Sequence, residues 1–271
     1  MVFEEYENLR REYLQETSDR DISPYGGHNF QVDRVFTPED DLRLVDKLYF
    51  FLGTRMSDGK EATLADWVAA LETCDSLRVC RFKNPSLHQE LFDALSSVKT
   101  LERLFLDTHR SRVESLDSIA NLSALTHLTF SSSPRITDLS PLAKLPSLKA
   151  LAFDGNYGTH DLTKLENLSS LETLTVAGRY GKPWKIDSLG FISNLPNLKN
   201  LRLGYFEIAD GSLEAVCKKN SLEYFEISSS ELKRLPLKQY ELLWEKRPDL
   251  KSAFLEPAAT DRAFQKKYRI K

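Results

Sequence analysis

The residues that could carry acid–base or metal chemistry are few and scattered. The histidines are His28, His88, His109, His127 and His160. His109 and His127 fall one repeat apart and are expected to approach one another, but a third metal ligand is missing from that pair. The sequence contains no glycine-rich phosphate loop and no G-x-S-x-G, H-E-x-x-H or C-x-x-C motif. We therefore predict that the protein is not an enzyme and holds no metal or cofactor.

The cysteines and the polarity of the chain indicate a cellular compartment. Cys74, Cys80 and Cys217 are odd in number and lack metal-ligand spacing, and Cys80 replaces a recurring leucine, which predicts a packed thiol. No apolar run approaches the roughly 20 residues of a transmembrane helix. The N-terminus, MVFEEYENLRREYLQ, lacks the apolar stretch of a secretory signal. These features favour a reducing cytoplasm and no membrane partner, with signal-free secretion left open.

A repeated leucine pattern predicts the strands and helices of the chain. The pattern L-x-x-L-x-[LFIV] recurs about every 23 to 28 residues. Its copies begin at Leu77, Leu101, Leu125, Leu148, Leu171, Leu198 and Leu222, with a weaker copy at Leu250. Between them lie short segments with apolar residues three and four apart, such as LADWVAAL from Leu64 and LSPLAKL from Leu139, which predict brief helices. One strand and one short helix per copy cannot cover their own apolar edges, so the units are expected to stack into a solenoid.

The segment RITDLSPLAKLPSLKALAFDGN, from Arg135 to Asn156, resembles the leucine-rich repeats of the bacterial internalin type and the similar phosphatase-regulator type. The resemblance covers about residues 64–227 well and 232–255 weakly. It implies an α/β leucine-rich-repeat solenoid with a curved parallel sheet on the concave face and short helices on the convex face. It also implies protein recognition through the concave sheet. The asparagine that this type places after each strand survives only as Asn156, so most turns are expected to find other hydrogen-bond partners.

The chain divides into three predicted parts. Residues 1–63 form an N-terminal capping region, in which residues 2–14 suit an amphipathic helix and residues 45–52 suit an additional strand. Residues 64–255 form the solenoid, which has about seven to eight repeats. Residues 256–271 form a basic C-terminal tail.

The predicted partner-binding residues occupy the outward positions of the strands and one inserted loop. On the strands they are Arg81, Arg103, Phe105, His127, Arg202, Tyr224 and Glu226, with Phe206 just after a strand. In the long loop between Ala177 and Gly190 they are Arg179, Tyr180 and Trp184. Aromatic and arginine side chains concentrate binding energy at interfaces. For Trp184 the alternative is that its ring folds back as a local plug over the solenoid edge.

These observations predict a non-enzymatic module that binds another protein on the concave face and the inserted loop, as a monomer. We expect a bacterial protein, and the first hypothesis is that it acts as an immunity or inhibitor protein against a toxin or enzyme. A secreted effector that binds a host protein is the alternative. Nucleic-acid binding through the basic residues Arg81, Lys83, Arg103 and Arg202 is a weaker alternative, because the net charge of −3 is acidic.

Overall fold

Each predicted strand copy belongs to one parallel sheet. The computed structural model describes residues 36–155, 158–159, 161–179, 182–227 and 235–252. The strands are β1 Lys47–Phe50, β2 Val79–Leu87, β3 Arg103–Ser111, β4 His127–Ser131, β5 Ala150–Asp154, β6 Gly158–Thr159, β7 Thr173–Ala177, β8 Trp184–Ile186, β9 Asn200–Gly204, β10 Phe206–Ile208, β11 Tyr224–Ile227 and β12 Lys251–Ser252. Within these residues, nine strands form the main sheet, in the order β1-β2-β3-β4-β5-β7-β9-β11-β12. The other three, β10-β8-β6, form a small second sheet along the same stack.

The register of the main sheet follows the repeat. Leu104 of β3 pairs with Leu128 of β4, and the same sequence position continues through Leu151, Leu174 and Leu201. All five side chains are buried. Because alternate residues of a strand point to opposite faces, this column of leucines fixes which side chains point to the other face. The predicted α/β leucine-rich-repeat architecture is confirmed.

The segments between the strands form short helices on the convex side. The α-helices are α1 Leu64–Leu71, α2 Gln89–Ser97, α3 Glu214–Lys218 and α4 Leu237–Lys246. The intervening repeats use 3-10 helices at Asp117–Asn121, Ser140–Lys144, Leu162–Leu165 and Gly190–Asn194, and another precedes the sheet at Leu42–Leu44. Helix α1 begins with a capping box, in which Thr63 accepts from the Asp66 amide and Asp66 accepts from the Thr63 amide. Each helical segment predicted between the strand copies is confirmed.

Aromatic rings occupy much of the space between sheet and helices. The ring of Phe50 lies 4.3 Å from Trp67 and 5.0 Å from Phe82, measured between centroids. Further along, Phe130 stacks on Phe153 at 5.7 Å. Burial of each such side chain contributes about 1.5–3 kcal/mol to folding. Strand β1, which the sequence predicts within residues 45–52, thus adds one more layer before the first full repeat.

Helix α4 is the last helix described, and it precedes the final strand of the main sheet, β12. The guanidinium of Arg247 is buried and donates to the backbone carbonyls of Lys219 and Leu222, each at 2.6 Å. The Lys219 carbonyl also accepts from the Leu222 amide at 3.1 Å, so Arg247 is its second donor. Arg247 also pairs with Asp249 at 2.8 Å, and this contact lowers the pKa of the Asp249 carboxyl. Helix α4 also packs against helix α3 of the preceding repeat.

Several sequence predictions concern other parts of the chain. The N-terminal amphipathic helix and the basic tail from residue 256 lie outside the described residues. Cys80 is packed as predicted, and its burial raises the pKa of the thiol well above its usual range. Burial likewise raises the pKa of Cys74 to about 11. In the part of the chain that the structure describes, no helix is long and apolar enough to span a bilayer.

Candidate functional site

The outward-pointing residues of the sheet form two parallel rows across the repeats. In the first row, Arg81 pairs with Phe105, and the row continues through Thr129, Ala152, Thr175, Arg202 and Glu226. The second row runs through Val79, Arg103, His127, Ala150, Thr173, Asn200 and Tyr224. We call these two rows the concave face. The strands thus bring seven of the predicted binding residues onto one surface, with the small residues in the middle and the large ones toward the ends.

The aromatic members of the concave face are buried, which corrects the expectation from sequence that they face solvent. Phe105 and Tyr224 are each 2% exposed to solvent, and His127 is 6% exposed. Alternation along a strand predicts the face to which a side chain points but says nothing about what covers that face. Arg81, Arg103, Arg202 and Glu226 remain partly exposed. Of the predicted binding residues on the concave face, only these charged ones are therefore accessible.

Ion pairs fix the charged groups at the two ends of the concave face. Arg81 contacts the Asp107 carboxylate at 2.6 Å, with each side chain about a quarter exposed. At the other end Arg202 donates to Glu226 at 2.9 Å, and the Tyr224 hydroxyl donates to the same carboxylate at 2.7 Å. Partly buried pairs of this kind are screened less than surface pairs. They hold the guanidinium groups in defined orientations, which lowers the entropic cost of a contact with a partner.

The inserted loop places its tryptophan inside the molecule. Trp184 lies in β8, where it pairs with Phe206 of β10, and both side chains are 1% exposed. Its ring centroid lies 5.6 Å from that of Phe153. The prediction that Trp184 and Phe206 serve as exposed binding anchors is therefore wrong, and the alternative that Trp184 plugs the edge of the solenoid agrees with its burial. Tyr180, the third aromatic predicted to bind, lies outside the described residues.

Close backbone packing explains why the loop folds back. Gly178 donates to the Gly204 carbonyl at 2.8 Å, and the Trp184 amide donates to the Tyr205 carbonyl at 2.9 Å. A Cβ at position 178 would lie 2.6 Å from both the Trp184 nitrogen and the Tyr205 oxygen. Only glycine permits this approach. The loop is therefore part of the second sheet, and the glycine is the sequence signal that could have indicated it.

Arg179 remains accessible but bridges several turns of the solenoid. Its guanidinium donates to the Ser132 hydroxyl and to the His109 carbonyl, the latter at 3.4 Å. It also lies against Gly155, whose φ of +65° places the chain in the left-handed region; a Cβ there would lie 3.4 Å from the Arg179 Nε atom. His109 and Arg179 occupy turn positions where the internalin-type repeat carries asparagine. A long cationic side chain thus makes contacts across successive turns.

A cavity of about 710 Å³ opens beside the carboxyl-terminal parts of β1 to β4 and the turns after β4 and β5. We call it the rim pocket; its lining consists of Tyr49, Phe51, Leu52, Lys83, Asn84, Pro85, Asp107, Thr108, His109, Ser131, Ser132, Gly155 and Arg179. Of these lining residues, only Arg179 is predicted from the sequence to bind a partner. The other lining residues lie in the carboxyl-terminal parts of strands or in the turns that follow, and loops at such edges of parallel sheets commonly carry function.

The geometry agrees with solved structures of bacterial proteins. No family model matches the sequence, and no curated protein matches it. An internalin (InlF) of Listeria monocytogenes is similar over 83% of this chain and 84% of its own, with 19% identity and a TM-score of 0.50. Internalin C2 of the same species has 20% identity over 64% of this chain and 87% of its own, with a TM-score of 0.49. A leucine-rich-repeat protein of Leptospira interrogans has 17% identity over 68% and 62%, with a TM-score of 0.43.

The register of the nine strands and the likeness to InlF lead to one assignment. The chain has the leucine-rich-repeat fold. At identities near 20% the likeness establishes the fold alone, and the partner has to be argued from the surface of this chain. Among the described residues, no group of three or more histidine, cysteine, aspartate or glutamate side chains is arranged to hold a metal ion.

Proposed function

We propose that this chain is a non-enzymatic recognition module that binds another protein through the charged residues of the concave face. The observation that supports this most directly is the arrangement of Arg81, Arg103, Arg202 and Glu226, all partly exposed and placed in register on one rigid sheet. A rigid scaffold that presents oriented guanidinium groups loses little entropy on association. Arginine also makes strong, directional bonds to carboxylates.

The biological setting of this proposal follows the sequence analysis. We propose a bacterial, cytoplasmic and monomeric protein that acts by occluding a toxin or an enzyme, as an immunity or inhibitor protein does. The alternative is an effector that reaches a host protein by a signal-free route. Recognition of nucleic acid is disfavoured, because the chain carries a net charge of −3, whereas proteins that bind nucleic acid are usually basic.

The test compares the proteins captured by matched variants. Purified wild type, Arg103→Glu and the convex-side control Lys144→Glu are immobilised and exposed to lysate, and the bound proteins are identified by mass spectrometry. Lys144 is exposed in the 3-10 helix Ser140–Lys144, on the opposite side of the repeat. We expect one protein to be retained by wild type and Lys144→Glu and to be lost with Arg103→Glu. Retention by all three variants would show that the concave face is not the binding surface.

A further inference from the structure

The rim pocket is a second concave surface, separate from the charged residues of the concave face. The large aromatic side chains of the concave face are buried, but the rim pocket keeps three large apolar side chains partly exposed, Tyr49, Phe51 and Leu52. Tyr49 lies in β1, Phe51 and Leu52 directly follow the strand, and all three line the cavity. Partly exposed aromatic residues in a concave site are typical of binding surfaces.

The opposite side of the rim pocket is positively charged. Lys83 is exposed and takes part in no ion pair within the described residues. Arg179 is also exposed, and its guanidinium is bonded to two neutral acceptors, a hydroxyl and a carbonyl. The carboxylate of Asp107 is the acidic group in the lining, and it is already paired with Arg81 at 2.6 Å. The lining of the pocket therefore carries two cations, Lys83 and Arg179, against one carboxylate, which lies across from Lys83 in the register of β2 and β3 and is bonded to Arg81.

The spacing of these groups suits an extended chain. Lys83 lies on β2 and Arg179 follows β7, four strand spacings away, which corresponds to about 19 Å between backbones. The Arg179 side chain reaches back over the turns after β4 and β3, as its bonds to Ser132 and His109 show. Its charge is thus brought to within about two strand spacings, roughly 10 Å, of Lys83. Carboxylates two or three residues apart on an extended peptide are separated by about 7–10 Å.

On this basis we propose that the rim pocket binds an extended acidic segment of a partner protein, with an apolar side chain against Tyr49, Phe51 and Leu52 and flanking carboxylates against Lys83 and Arg179. This deepens the proposed function, since it adds a second contact surface to the same recognition module and gives the chemistry of the segment it takes. The apolar wall gives the affinity that charges alone lack at physiological salt, and the cations select for acidic flanks.

The experiment uses the full chain and a defined probe. The probe is a fluorescein-labelled peptide in which one leucine is flanked on each side by two glutamates, and binding is followed by fluorescence anisotropy. Matched probes replace the leucine by glycine or the glutamates by lysines, and a single-stranded RNA of similar length tests the nucleic-acid alternative. We expect saturable binding of the acidic leucine peptide, with at least a tenfold weaker Kd for the glycine and lysine probes and for the RNA.

Two variants connect that binding to the pocket. Lys83→Glu is expected to weaken it about tenfold, and Phe51→Ser by a similar factor, whereas Lys144→Glu leaves it unchanged. Equal binding of the glycine probe, tighter binding of the RNA, no binding to wild type, or no loss with Lys83→Glu would each overturn the proposal. The proposed function is tested separately, because capture of a partner that depends on Arg103 can persist when the peptide does not bind.

Discussion

Arg179 donates a hydrogen bond to the hydroxyl of Ser132, a residue 47 positions earlier in the chain and two repeats away in the stack. Ser132 is buried and has a φ of +52°, so its turn holds an uncommon left-handed conformation. Internalin-type repeats place asparagine near such turns. Here one arginine makes contacts across three turns, which links the local geometry of each repeat to that of its neighbours.

This relationship predicts a loss of stability when the arginine is removed. Arg179→Ala should lower the free energy of unfolding by about 1–2 kcal/mol, because the Ser132 hydroxyl and the His109 carbonyl each lose a partner. Urea unfolding followed by circular dichroism measures the change. The control is Lys185→Ala, which removes an exposed pair with Glu207 at 3.4 Å and should change stability by less than about 0.5 kcal/mol. Equal effects of the two substitutions would contradict a bridging role for Arg179.

The burial of Trp184 predicts a structural role. Trp184→Ala should lower stability by about 3–5 kcal/mol, because it leaves a cavity beside Phe153 and removes the apolar contacts of β8. Trp184→Phe should recover a large part of that loss, since it keeps most of the ring volume. The melting temperatures of wild type, Trp184→Phe and Trp184→Ala should decrease in that order. An unchanged melting temperature for Trp184→Ala would mean that the ring does not pack in the core.

The burial of Phe105 predicts a similar penalty on the sheet's other face. Phe105→Ala should destabilise the chain by about 3 kcal/mol, although its side chain points away from the leucine core. Val79→Ala offers a control on the neighbouring strand, where the side chain is only partly buried and smaller. The midpoints of urea unfolding measure the loss of stability in each variant. A stability loss for Phe105→Ala no larger than that for Val79→Ala would show that the ring is solvated.

The repeat predicts a large part of this architecture because its signal is periodic. One leucine pattern determines the strand register from Leu104 to Leu201 and the helical segments between the strands. The folding back of Trp184 could not be predicted in this way, since β8 pairs with β6 and β10. The sequences of these short strands do not contain the leucine pattern. The rim pocket escaped prediction for a related reason. Its lining comes from four strands and from the turns after several of them, so no single segment contains its signal.

Recognition through the concave face can be measured by a calorimetric titration with the purified captured partner. Wild type, Arg103→Glu and Lys144→Glu are titrated at low and at moderate salt, after circular dichroism has shown that each variant is folded. We expect one-to-one binding to wild type, at least tenfold weaker binding to Arg103→Glu at low salt, and unchanged binding to Lys144→Glu. Unchanged binding to Arg103→Glu, together with loss of binding to Lys144→Glu, would contradict recognition through the concave face and move the interface to the convex side.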